Sequence, residues 1–182
     1  DTHCHVFGPA VRYPFAGVRR YTPPDCPIED YLAMAGTVGL ERAVLVQASA
    51  HGTDNRVTLN AIARANGRLR GVARIDDATD DAEIARLHEG GIRGVRFEFV
   101  AGRPGSTNLP LFERVIERVG AYGWCIELQV GTAVLVAKAA WFRGLKVNGL
   151  VDHFARIQTA DGIDQPAFRL LLELMQRDNY WV

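Results

Sequence analysis

No charge of either sign dominates this chain of 182 residues: Lys and Arg total 21, and Asp and Glu total 21. That balance gives no electrostatic reason to expect nucleic acid or an anionic membrane as a partner. No run of like charges forms a basic arm or an acidic tail. No apolar stretch approaches the ~20 residues that span a bilayer. Cysteine is scarce: Cys4, Cys26 and Cys125 are odd in number and scattered, unlike a disulfide framework. A reducing cytoplasm is the compartment this implies. There is no nucleophile elbow, no Ser-His-Asp order and no glycine-rich phosphate turn. Linkers, internal repeats and low-complexity stretches are missing too.

What is there is alternation. Strand-like patterns cover residues 1–7, 42–49, 69–76, 94–100, 125–130, 147–154 and 180–182. Helix-like patterns fall between them, over residues 28–38, 54–65, 80–89, 110–122, 132–142 and 165–177. Asp54 is a plausible N-cap, and Gly67 a plausible stop, for the second of these helices. A βαβα repeat of roughly 25 residues predicts a parallel sheet with helices outside it. The predicted fold is α/β, a TIM (β/α)8 barrel. A doubly wound sheet is disfavoured by the missing phosphate turn. A closed barrel usually needs ~250 residues. The single domain, residues 1–182, is therefore expected to be incomplete at its C-terminus, with six βα units and the start of strand seven. The one long loop, residues 8–27, leaves the C-terminal end of the first strand, the end where barrel active sites sit.

Side chains on a strand alternate faces, so His3 and His5 point one way and Cys4 the other. Cys4 reads as a packing residue. Two imidazoles at a strand's C-terminal end can bind metal, polarise a carbonyl or move a proton near neutral pH. The other reading is a solvated or hydrogen-bonded pair. His153 ends the sixth predicted strand, at the same rim. His88 reads as a surface residue in mid-helix. His51 either lines the mouth or belongs to the loop that caps the next helix. Polar residues recur at the other strand ends, in same-face pairs: Gln47 with Ser49, Arg96 with Glu98, and Glu127 with Gln129. Arg96 and Glu98 either pair with each other or meet a ligand. Arg96 and Arg156 at the rim suit a substrate bearing carboxylates, which guanidinium binds in bidentate fashion. For Arg156 the competing reading is a solvated loop residue.

Several strings occur together in order: His3-Cys4-His5-Val6-Phe7-Gly8-Pro9, Arg20-Tyr21-Thr22-Pro23-Pro24-Asp25, Val46-Gln47-Ala48-Ser49, His51-Gly52-Thr53-Asp54-Asn55, Gly94-Val95-Arg96-Phe97 and Val151-Asp152-His153. With them, nearly the whole chain resembles the amidohydrolase-2 branch of the amidohydrolase superfamily, the branch of 2-pyrone-4,6-dicarboxylate hydrolase and related lactone hydrolases and isomerases. The resemblance implies a (β/α)8 barrel and a hydrolase that opens a carboxylated lactone, pyrone-like or muconolactone-like, by attack of water on the ring carbonyl. It implies that His3, His5 and His153 are catalytic and surround that carbonyl. Tyr21, Ser49, Arg96 and Arg156 would bind substrate carboxylates or the ring. The family's general base is an Asp after the last strand, which the sequence does not reach, so this piece alone is expected to hydrolyse no lactone. Glu98 stands where the pyrone hydrolases carry Asn, and the resemblance implies a further substrate arginine a few residues later, to which Arg103 would correspond. Glu127 and Gln129 occupy a strand where a tyrosine is expected. The branch implies no cofactor. The alternative is one divalent metal such as zinc on His3, His5 and His153. Rival readings are a metal-dependent decarboxylase, a sugar-lactone isomerase of the same superfamily, or a non-catalytic remnant.

Overall fold

The computed structural model describes residues 1–100 and 108–182. They form two compact units, Asp1–Arg96 and Phe97–Val182. Among the described residues no helix is long and apolar enough to cross a membrane.

The first unit repeats strand and helix. Helix α1 (Ile28–Thr37) precedes β1 (Ala43–Val46); α2 (Arg56–Arg64) leads to β2 (Leu69–Ala73), and α3 (Asp81–Glu89) to β3 (Ile92–Phe99). The strands pair in parallel, β1 with β2 and β2 with β3. Helix α3 starts one residue after the expected position, because Asp80 is its cap: the Asp80 carboxylate accepts from the Glu83 amide at 2.7 Å. Helix α2 starts one residue later than expected, with Asn55 as its cap residue and no side-chain capping bond. Asp54 instead accepts from the Arg56 amide at 3.2 Å and pairs with the Arg56 guanidinium at 2.8 and 2.6 Å. Helix α2 lies close to β2. A Cβ on Gly71 would press on Ile92 Cδ1 and Ile62 Cδ1, so a larger residue there would make those side chains shift.

The strand expected over residues 1–7 is reduced to a single parallel bridge between Cys4 and Leu45. The Cys4 amide donates to Val44 O at 3.1 Å, and the Val46 amide donates to Cys4 O at 2.8 Å. Extension stops because Phe7 turns to pair antiparallel with Cys26, which closes the long loop at its base. Gly8 makes that turn with φ +68°, and a Cβ there would overlap the Asp25 carboxylate.

A register shift alters β3. Gly71 pairs with Ile92, but the next residue, Val72, pairs with Gly94. The extra residue, Arg93, is exposed. Beyond this bulge the alternation is inverted. Ile92 faces α2 beside Gly71, whereas Phe97, of opposite parity, stacks on Phe112 of helix α4 (Leu109–Gly120) with ring centroids 4.6 Å apart. Arg96 and Glu98 thus leave the strand on the face opposite Phe97, and both are buried, at 7% and 4% exposure.

In the second unit, β4 (Cys125–Val130), β5 (Gly149–Val151) and β6 (Tyr180–Trp181) pair in parallel and in sequence. Strand β4 has the predicted bounds. The helix expected over residues 132–142 divides at Lys138 into α5 (Thr132–Ala137) and α6 (Ala139–Gly144); α7 (Pro166–Met175) follows. The Tyr180 hydroxyl donates to Phe142 O of α6 at 2.7 Å. Its ring fills the space a Gly149 Cβ would take. Tyr180, Gly149 and Ile126, in register, therefore face the helices. Glu127 and Leu150 take the other face.

Candidate active site

His3 and His5 do share a side in the first unit: their rings meet edge to face with centroids 5.1 Å apart. His5 Nδ1 lies 2.7 Å from Val46 O. A carbonyl only accepts, so Nδ1 carries the proton, and the lone pair of neutral His5 is on Nε2. Cys4 points the opposite way, toward Tyr31 of α1, and burial raises its thiol pKa. Burial, with the Glu127 carboxylate adding to it, pushes Cys125 up to about 11. Neither thiol is set up as a nucleophile.

A row of rings continues from His5. Phe7 lies 6.0 Å from it, Tyr21 meets Phe7 edge-on at 6.5 Å, and His51 stacks on Phe7 at 6.2 Å. Phe15 closes the row, 4.8 Å from His51. Tyr21 is thereby attached, through Phe7, to the histidine pair, although its own side chain is exposed. His51 is 2% exposed and turns its Nδ1 to Pro14 O at 3.3 Å. It belongs to the loop anchorage. Burial lowers its pKa, against the opposing effect of the Pro14 bond and of Asp54 and Asp25.

The polar strings after β1 are largely structural. Gln47 is fully buried: its amide donates to Asp54 O at 2.8 Å, and its carbonyl accepts from the Thr58 hydroxyl at 2.6 Å. Asn55 donates to Thr53 O and Arg74 O and accepts from the Arg74 amide, tying the loop to the end of β2. The face-sharing expected of Gln47 and Ser49 does not hold on strand geometry, because β1 ends at Val46 and Ser49 opens a 3-10 turn, Ser49–His51. Ser49 is half-buried in that turn.

In the second unit His153 lies just beyond β5, in a turn spanning Asp152–Arg156. His153, Phe154, Ala155 and Arg156 all have positive φ, from 49° to 58°. The His153 side chain is 51% exposed, and its Nε2 lies 3.9 Å from Oδ2 of the buried Asp152. Arg156 is half-buried at the end of this turn. Glu127 and Gln129 are buried, at 2% and 7% exposure. His88 falls in the last turn of α3 and is half-buried. Arg103 lies outside the described residues. Sequence reasoning passed over Phe7 and Phe15 as ring partners and Asp152 as the carboxylate beside His153. For Asp152, its position directly before a strand-end histidine was the available signal.

A family model described as Amidohydrolase matches residues 1–182. The chain is 37% identical over 183 residues to a 4-sulfomuconolactone hydrolase of Hydrogenophaga intermedia, covering 100% of this chain and 60% of that protein. It is 36% identical over 182 residues to a 2-pyrone-4,6-dicarboxylate hydrolase of Comamonas testosteroni, with coverage of 100% and 60%. The chain thus spans about 60% of the length of these curated relatives. A crystal structure from Acinetobacter baumannii, described as a "probable 2-pyrone-4,6-dicarboxylic acid hydrolase" with citric acid bound, superposes with a TM-score of 0.85 at 28% identity. That match covers 100% of this chain and 67% of the other.

Proposed function

Because the chain belongs to the amidohydrolase family, we propose that the protein it forms part of is a lactone hydrolase whose substrate carries a carboxylate or a comparable anionic group. The observation that carries this reading is the His3–His5 pair, two imidazoles on one side of the opening segment, 5.1 Å apart, one with its tautomer fixed by Val46 O. The relatives' names support the substrate class: both act on small anionic lactones.

Water adds to the ring carbonyl, the ring C–O bond breaks, and the leaving oxygen is protonated. His3 and His5 stabilise the developing oxyanion and supply or hold the proton. His153 joins them on the resemblance of its motif. Arg96, a buried guanidinium on β3, holds the remote anionic group, with Tyr21, Ser49 and Arg156 as further contacts. The proton of the attacking water goes to the family's Asp after the last strand, in the part of the relatives this chain does not span. We propose that no resident metal is needed. If a divalent cation is held instead, the Nε2 lone pair of His5 is the donor its tautomer offers, with His3 beside it. Such an ion would polarise the carbonyl.

The test is to assay the full-length protein on pyrone and muconolactone carboxylates, with and without chelator. Opening of a lactone that survives chelation is expected. Activity on none of them would refute the reading, and activity only with added zinc would move it to the metal-dependent branch.

A further inference from the structure

We propose that His51 is a positioning residue that acts through Tyr21: it pins loop 8–27 to the turn after β1 and so sets where Tyr21 meets substrate. The proposal rests on the lactone-hydrolase reading for the role of Tyr21; the pin itself is independent of it.

The loop is long and exposed over most of its length, with Tyr13 the buried aromatic within it. At its base, Phe7 pairs with Cys26, and the Ala10 amide donates to the Asp25 carboxylate at 3.0 Å. Its middle is held by Ser49–His51. The Ala16 amide donates to Ala50 O at 2.8 Å, His51 Nδ1 donates to Pro14 O, and the His51 ring lies between Phe15 and Phe7. From Phe15 the connection runs on to Tyr21. The Arg19 guanidinium sits over the Phe15 ring at 5.8 Å and donates to Ala16 O and to the Thr22 hydroxyl, both at 2.8 Å. Tyr21 lies between those two braced residues and against Phe7. His51 is therefore a buried polar side chain that touches the loop on one side and Phe7, next to His5, on the other.

Its chemistry suits the task. With the proton on Nδ1, the ring donates to a loop carbonyl and leaves Nε2 buried without a hydrogen-bond partner. A buried polar atom without a partner destabilises the fold. A phenylalanine would pack in the same slot without that cost, but it could not hold Pro14. The histidine is explained by the bond it makes to the loop.

The experiment compares the full-length protein with His51→Phe, which keeps the ring and loses the donor, and with Phe15→Leu, which loosens the same contact from the loop side. Each substitution is made alone and in a Tyr21→Ala background. Either substitution alone is expected to raise KM about tenfold while kcat changes less than about twofold. In the Tyr21→Ala background the same changes should move KM less than about twofold. Tryptic cleavage after Arg19 and Arg20 should be several-fold faster in both variants. An equal rise in KM with and without Tyr21 would overturn the proposal, as would cleavage rates identical to the parent. If the parent opens no lactone, the hydrolase reading fails. The pin is then judged on cleavage and on amide exchange across loop 8–27, and unchanged values in both variants would refute it.

Discussion

His5 and His153 end their segments in opposite ways. His5 lies on extended chain beside β1, with its Nδ1 bonded to a backbone carbonyl 2.7 Å away. The loop after β1 is held by Gln47 and Asn55, whose amides are bonded to backbone or hydroxyl groups. His153 sits in a turn of four successive left-handed residues, none of them glycine, with its side chain half in solvent. Left-handed backbone costs about 1–2 kcal/mol per L-residue. The turn is held against that cost in part by packing: Ala155 is fully buried, and the Ile157 amide donates to Phe154 O at 3.0 Å. One histidine is placed by satisfied hydrogen bonds, the other by tertiary packing against backbone preference. Strain of the second kind persists where the surrounding structure over-determines it, and it clusters at functional sites.

The sharpest way to break this comparison is to remove one histidine at a time. His5→Ala is expected to lower kcat/KM by about 10²–10⁴ with little change in Tm. An unchanged kcat/KM would take the anchored imidazole out of the chemistry. If Arg96 holds the substrate's anionic group as proposed, Arg96→Met should raise KM about a hundredfold and leave the melting temperature within a few degrees. A variant that unfolds but whose folded fraction binds substrate normally would make Arg96 a structural ion-pair partner. Gln47→Leu tests the hydrogen-bonded side of the comparison. It strands the buried Thr58 hydroxyl and removes the partner of the part-buried Asp54 O, and should cost about 1–3 kcal/mol in urea unfolding. A loss under about 0.5 kcal/mol would mean that the network does not hold the loop.

Legibility in the sequence followed the same division. Strand β4 could be read to the residue, and the start of α3 to within one, because alternation and helical periodicity are local signals. The shared side of His3 and His5 was legible for the same reason. Three features were not. The bulge at Arg93 reverses the parity of β3; Gly94 beside it is a local mark of irregularity, but only pairing with β2 reveals the extra residue. The left-handed turn at 153–156 contains His, Phe, Ala and Arg, none of which favours that backbone, so the strand was read too far. Ser49 was placed by extending an alternation that ends at Val46. Each miss is a place where tertiary contacts override a local preference.

The packed turn can be tested by relief of strain. Phe154 has φ 49° and is 59% exposed, so replacing it removes little core. Phe154→Gly should stabilise the protein by about 1 kcal/mol in urea unfolding. If stability falls instead, the Phe154 ring holds the turn, and the contrast with the first unit weakens.

The smallest expected effect concerns His51 and pH. Burial lowers the pKa of its imidazole, and the Pro14 bond, Asp54 and Asp25 oppose that shift. In the unfolded chain the ring titrates near ~6.5. Between the folded value and that one the unfolded state binds more protons, so stability rises with pH across this window. The contribution is fully present above ~6.5 and is lost as pH falls through the folded value. The pKa of Asp54 is lowered as well, chiefly by its bond to Arg56, and gives a loss of the same sign. That loss comes at a lower pH than the one from His51, because an Asp whose pKa is lowered stays ionised below the ordinary carboxylate range. Urea midpoints for the parent and His51→Phe, measured from pH 7.5 down to pH 5, should therefore keep a constant offset above ~6.5. Below it the parent should lose stability relative to the variant. An offset that stays constant to pH 5 would show that His51 keeps its ordinary affinity for protons, and that its place between Phe7 and Phe15 is less dry than its burial implies.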